Sequence, residues 1–258
     1  MQIHTYTAKL YTEKRIKKTP YHLRGYIIKN YPDAPIIQFI DGRKGAFYTY
    51  PLVQFKIING YPIILGIKDA VDSVKDIVER IDSLKFGPME IKIKDREISE
   101  NECEFGISEE VKKYNFISPW LPLREDNYTE FKYFYESERS VFLRRTLVRN
   151  IFTISKTLEY KINTKIKVIP NLKTIPRYEI KAPTTGFLGS FRVNFHIPNY
   201  FGLGNSVAKG FGTVKPALPE DMEFKELERN YNHANTSSNR QYNYTNPYPG
   251  AKNTNRYH

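Results

Sequence analysis

Four groups of residues have the types and spacing that chemistry could use. The first is His22: an imidazole takes or gives a proton near neutral pH, so His22 could act as general acid or base, and an exposed histidine with no role fits its position equally well. The second is the turn Asp41-Gly42-Arg43-Lys44-Gly45 with Tyr48 and Tyr50 after it. Its two cations could neutralise a phosphate, and the phenols could orient or protonate an oxygen. A solvated turn and packed strand tyrosines are the plainer alternatives. His22, Tyr48 and Lys44 are the catalytic candidates, with Arg43 as an anion contact. Third comes Gly202-Leu-Gly204-Asn-Ser-Val-Ala-Lys209-Gly210-Phe-Gly212, four glycines around one lysine. Clustered glycine lets backbone approach a ligand and frees amides to face anionic oxygens, so Gly202, Gly204, Lys209, Gly210 and Gly212 are candidate binding residues. The fourth is a basic helical face bearing Arg145, Arg149 and Lys156, which lies along a polyanion or is simply solvated.

Other chemistries find no footing. A dinucleotide fingerprint needs glycine where Val207 stands, and a Walker loop needs Lys-Ser or Lys-Thr after its last glycine, whereas Lys209 precedes Gly210. With one cysteine and no closely spaced histidine pair, neither a metal site nor a cofactor is indicated.

The elements that must position these groups follow from periodicity. Residues Gln2 to Tyr11 alternate as a strand, and Thr19 before Pro20 opens a helix to about Tyr31 with Leu23, Ile27 and Tyr31 on one face. Strands are expected over Ile36–Ile40, Phe47–Ile58 and Tyr61–Ile67, the last two joined by Asn59-Gly60, a strong hairpin signal. A second helix begins at Asp69, and strands over Met89–Ile93 and Glu102–Ile107 complete a split βαβ order. The second half repeats it loosely: a strand over Tyr114–Leu123, a helix over Ser137–Leu158 with Leu143, Leu147, Ile151, Ile154 and Leu158 inward, then strands over Lys165–Ile169, Ile175–Ala182 and Phe187–Ile197. The expected fold is α+β, two tandem ferredoxin-like domains (1–112 and 113–217) with a C-terminal glycine-rich loop. Residues 218–258, rich in Asn, Tyr, Thr and Ser, read as a disordered tail.

Composition points to the partner. The 258 residues carry a formal charge of +12, and residues 137–181 alone hold eleven Lys and Arg against three Asp and Glu. A concentrated positive field favours a polyanion, and 20 Tyr and 16 Phe are available for base stacking. The lone Cys103 forms no internal disulfide, the N-terminus has no signal-peptide core, and charges or prolines interrupt every apolar run, so a soluble cytoplasmic protein without membrane contact is expected.

The glycine loop resembles that of the RAMP superfamily of CRISPR-associated proteins: Gly-apolar-Gly, five residues with a late basic one, then Gly-apolar-Gly, after a strand near the end of a tandem ferredoxin-like chain. Within it the chain is most similar to endoribonucleases that cut CRISPR precursor RNA within its repeats, with Tyr21-His22-Leu23-Arg24-Gly25 and Tyr48-Thr49-Tyr50-Pro51-Leu52-Val53-Gln54-Phe55-Lys56 in further support. The resemblance covers residues 1 to 216. It implies metal-independent attack of a 2′-hydroxyl on the neighbouring phosphate, giving a cyclic phosphate and a 5′-hydroxyl, with CRISPR repeat RNA as partner. Many members place a histidine after the first helix; here none stands between Leu23 and Asn194. A binding-only relative, or a subunit of an RNA-guided complex, is the alternative, and a homodimer or association with a CRISPR effector complex stays open.

Overall fold

The computed structural model of the protein describes residues 1–41, 50–123, 125–175 and 185–217. The chain runs β1 (Gln2–Thr12), α1 (Pro20–Asn30), α2 (Ile37–Ile40), β2 (Val53–Ile58), β3 (Tyr61–Ile67), α3 (Val71–Arg80), β4 (Ser83–Phe86) and β5 (Met89–Glu104). It continues with β6 (Gly106–Trp120), α4 (Glu125–Phe131), α5 (Glu136–Thr157), β7 (Val168–Ile175), β8 (Gly186–His196) and β9 (Val214–Pro216). The first five strands form one antiparallel sheet in the order β2-β3-β1-β5-β4, and the last four a second in the order β7-β8-β6-β9. In each, the third strand of the repeat lies between the second and the first, the order of a ferredoxin-like fold. The chain passes from one sheet to the other at a single residue, Phe105.

Local chemistry explains most of these elements. Thr19 is extended and Pro20 follows at the first helical position, where its missing amide costs nothing. Asn59 and Gly60 both take positive φ, +52° and +77°, as a two-residue hairpin turn requires. Gly66 of β3 leaves room for Val74 of α3, which a Cβ there would meet at 2.9 Å. The expected helix in the second half is α5, and its Leu143, Leu147, Ile151 and Ile154 are buried on the sheet with Leu158 just beyond its end.

Four expectations change. Ile36–Ile40 is not a strand: after Pro35 it makes the single helical turn α2, burying Ile36, Ile37 and Ile40 together. The segments expected as strands over Met89–Ile93 and Glu102–Ile107 belong to one long β5 and the start of β6. The polar middle of β5 is held extended by pairing with β1, unbroken from Gln2↔Glu104 to Tyr11↔Asp95, with a register shift before Thr12↔Ile93. Likewise β7 is one strand; Pro170 is accommodated because β7 is the edge of its sheet. Asp69 caps no helix, standing instead within a 3-10 turn that leads into α3. The remainder of the Ile175–Ala182 expectation, and that for the tail from residue 218, lie outside the described residues. Among the described residues no helix is long and apolar enough to cross a membrane.

Leu147 is wholly covered beneath α5. Leu147→Ala is expected to lower stability by about 2–5 kcal/mol, read as an earlier denaturant midpoint at unchanged slope.

Candidate functional site

The candidate site is built where β2, the start of α1 and the glycine loop meet. Strand alternation sends Val53 and Phe55 of β2 toward the helices and Gln54 and Lys56 to the opposite face. That face is usually solvated in an antiparallel sheet, yet Gln54 and Lys56 are both completely covered. The cover comes from the second half of the chain. Gly202 donates its amide to the Gln54 side-chain oxygen at 3.1 Å, and Lys56 Nζ donates to that same oxygen at 2.9 Å. Burial pulls the Lys56 ammonium down to a pKa of about 7. The Tyr50 hydroxyl, also buried, lies beside Gln54 and Gly202 without a well-formed hydrogen bond, and burial pushes the phenol well above its usual range.

The glycines serve contact. Gly210 has φ +85°, and a Cβ on it would lie 2.7 Å from Pro20 Cγ and 2.9 Å from the Phe55 carbonyl oxygen, so only glycine lets the loop rest on β2 and α1. Gly204, with φ +89°, lies against the Trp120 indole in the same way. The amides of three of the four glycines are already committed: Gly202 to Gln54, Gly210 to the Val207 carbonyl and Gly212 to the Pro119 carbonyl. The expectation of free loop amides facing an anion is therefore corrected for these three. What the loop offers outward is the exposed Lys209, at the end of a 3-10 turn.

His22 is exposed on the first turn of α1, two residues beyond the proline that touches Gly210. Its Nδ1 lies 2.9 Å from Thr19 Oγ1 and accepts from the Thr19 amide at 3.4 Å, so the imidazole closes the helix N-terminus. On the other flank, Trp120 donates its indole N–H to Asn150 of α5 at 3.1 Å, and Asn205 donates to the Leu121 and Leu123 carbonyls. Arg145, Arg149 and Lys156 are exposed along α5, with the 47 % exposed Phe152 between them at helical spacing. The loop thus joins His22 through Gly210 and the basic helix through Gly204. Arg43, Lys44 and Tyr48 lie outside the described residues.

Lys56 and Gln54 were not singled out from the sequence. They stand in the segment Tyr48–Lys56 that carries part of the family resemblance, but by pattern they are two polar side chains alternating with apolar ones in Val53–Ile58, which reads as a solvated face unless a second layer covers it.

Two tandem ferredoxin-like halves, with a glycine-rich loop between the last two strands, give this chain the fold of a solved RAMP protein, similar at 16% identity with a TM-score of 0.53. More particularly, it belongs to the Cas6b family: residues 1–104 match the Cas6b N-terminal domain and residues 106–217 the Cas6b C-terminal domain. A solved Cas6b structure is similar at 34% identity with a TM-score of 0.73, covering 84% of this chain and 100% of that one. Another, a CRISPR RNA processing endoribonuclease Cas6b, is similar at 32% identity with a TM-score of 0.66, covering 83% and 99%. An uncharacterised protein of Methanocaldococcus jannaschii is 44% identical over 114 residues, 43% of this chain and 76% of that protein.

The buried ammonium sets a pH signature. Unfolded, Lys56 holds its proton up to about pH 10.4; folded, it releases it near a pKa of about 7. Between these values the unfolded chain binds more protons, so stability rises with pH. Lys56→Met removes the desolvation cost while Gln54 keeps its bond from Gly202. It is expected to stabilise the protein on the order of 2 kcal/mol, or ~4–8 °C in Tm, at pH 7 and below. Scanning calorimetry from pH 6 to 10 should show that advantage shrinking as the pH rises.

Proposed function

We propose that the protein is an endoribonuclease that cuts CRISPR precursor RNA within its repeats. The observation that carries this reading is Lys56: a fully buried lysine, brought near neutral pKa, under a glycine loop and beside the start of α1, in a chain of the Cas6b family. The solved relative titled a CRISPR RNA processing endoribonuclease, at 32% identity, supports it.

The chemistry is metal-independent transesterification. The 2′-hydroxyl beside the scissile phosphate loses its proton and attacks phosphorus; the bond to the 5′-oxygen breaks and that oxygen takes up a proton. The products are a 2′,3′-cyclic phosphate and a 5′-hydroxyl. Such a reaction needs a base, an acid and a cation for the charge that develops on the non-bridging oxygens. His22, on the exposed helix start, is suited to carry a proton, while Lys44 and Tyr48 are held as further candidates. For RNA to reach Lys56 the glycine loop lifts from Pro20 and β2, and the ammonium then leaves Gln54 for the phosphate. A lysine with pKa near neutrality can also exchange a proton at working pH. Lys209 and the α5 stripe of Arg145, Arg149 and Lys156 hold the flanking backbone.

Two observations favour a second reading, binding without cutting: no histidine stands between Leu23 and Asn194, and Lys56 is wholly covered in the free protein.

Incubating the protein with end-labelled repeat RNA in EDTA separates the two. The endoribonuclease gives a single cut inside the repeat with a cyclic phosphate end, and Lys56→Ala slows single-turnover cleavage roughly 10²–10³-fold. Retention of intact RNA would establish the binding-only reading. For the RNA contacts, Arg145→Ala with Arg149→Ala is expected to reduce the salt slope of binding by about 2.

A further inference from the structure

Two residues along β2 from Lys56, the two halves of the chain leave a groove of about 200 Å³. Lys9, Arg15, Asn59 and Tyr61 line it from the first half, Tyr200 and Lys215 from the second. The last two are the residues on either side of the glycine loop.

Cations and rings alternate around it. The Arg15 guanidinium lies 5.9 Å from the Tyr61 ring centroid, and Lys215 Nζ lies 4.9 Å from that of Tyr200. Tyr61 is braced edge-on by Tyr11 at 5.1 Å. The charges are not equivalent. Lys9 is already held by Glu97 at 3.4 Å and by the Tyr11 hydroxyl at 2.7 Å, and Tyr11 in turn donates to Glu97. Arg15 and Lys215 have no carboxylate within ion-pair distance among the described residues; Glu97, paired with Lys9, also acts on Lys215 through space, so three cations face one carboxylate and the groove is net positive.

The backbone gives a second, independent sign. Tyr200 takes φ +65°, the left-handed region that a bulky residue occupies at a cost of roughly 1–3 kcal/mol. Its amide is tied to the Val214 carbonyl at 2.9 Å, which keeps it there. The ring so placed is half-buried, packed in part on the core and lining the groove with the rest.

We propose that this groove is a subsite for one unpaired nucleotide of an RNA strand. Its phosphate sits between Arg15 and Lys215, and its base lies on the face of Tyr61 or Tyr200. Ring faces accept any base, so the subsite is tolerant of sequence; a base stacked within a duplex cannot enter. The choice of RNA over a free nucleotide rests on the proposed function; the recognition chemistry, a base plus a phosphate, does not.

The test uses the full chain and fluorescein-labelled decauridylate, with a blunt RNA duplex and AMP as comparison probes, in fluorescence anisotropy. Tyr61→Leu, and separately Arg15→Ala with Lys215→Ala, should each weaken decauridylate binding about tenfold. The charge variant should also flatten the salt slope by about 1, while duplex affinity is unchanged for both. Unchanged decauridylate affinity in the charge variant, whose two side chains are not core, overturns the subsite even if Tyr61→Leu fails to fold. Competition by AMP at the same concentration as decauridylate overturns the assignment to RNA in favour of a mononucleotide. Cleavage of repeat RNA by the wild-type protein is measured in parallel: its loss sinks the proposed activity without touching the subsite, and its persistence beside unaffected variants sinks the subsite alone.

Discussion

The side-chain oxygen of Gln54 accepts two hydrogen bonds at once, one from the ammonium of Lys56 on its own strand and one from the Gly202 amide of the opposite half. A buried lysine is costly unless something polar meets it, and here a single neutral amide does. The same atom therefore fixes the cation and docks the loop. Remove Gln54 and the glycine loop loses this polar anchor on β2 while the ammonium loses its acceptor. The near-neutral character of Lys56 is the chemical by-product of this sparse solvation, since a carboxylate in place of Gln54 would have held the proton firmly.

Why a loop and not a helix covers this lysine follows from topology. In the first repeat the connection from third to fourth ferredoxin strand, β3 to β5, carries α3; in the second, the connection from β8 to β9 is the glycine loop with its one short 3-10 turn. A helix in that place would hold neighbouring backbone at side-chain distance. Glycine at 210 and 204 lets the chain touch β2, Pro20 and Trp120 directly, so one connection reaches both the helix start that bears His22 and the basic helix α5.

Much of this was legible in the sequence because it is local. Asn59-Gly60 announces its hairpin by conformational preference, Thr19-Pro20 its helix, and the leucines and isoleucines of α5 their buried stripe. The glycine spacing carried the family. What escaped depends on the far half of the chain. The polar middle of β5 is a strand because β1 lies beside it, not because its residues prefer extension. Ile36–Ile40 has strand composition, but after Pro35 it closes a helical turn that buries Ile36, Ile37 and Ile40. Gln54 and Lys56 look solvated until the second sheet is present. The glycine amides look available until their acceptors, from Val207 and Pro119, are located.

Phe105 is all that separates β5 from β6. It is no flexible tether: its ring packs on Phe195 at 5.0 Å and on Phe201 at the base of the glycine loop at 6.4 Å, and a Cβ on the next residue, Gly106, would collide with Tyr160 at 2.6 Å. Adding or deleting one residue here would unseat Phe105 from Phe195 and Phe201 or Gly106 from the Tyr160 ring. A longer joint would give up these ring contacts, so the seam is as much a part of the packed interior as either sheet. The junction belongs to a core that runs without a break through both repeats, which couples the unfolding of one to the unfolding of the other.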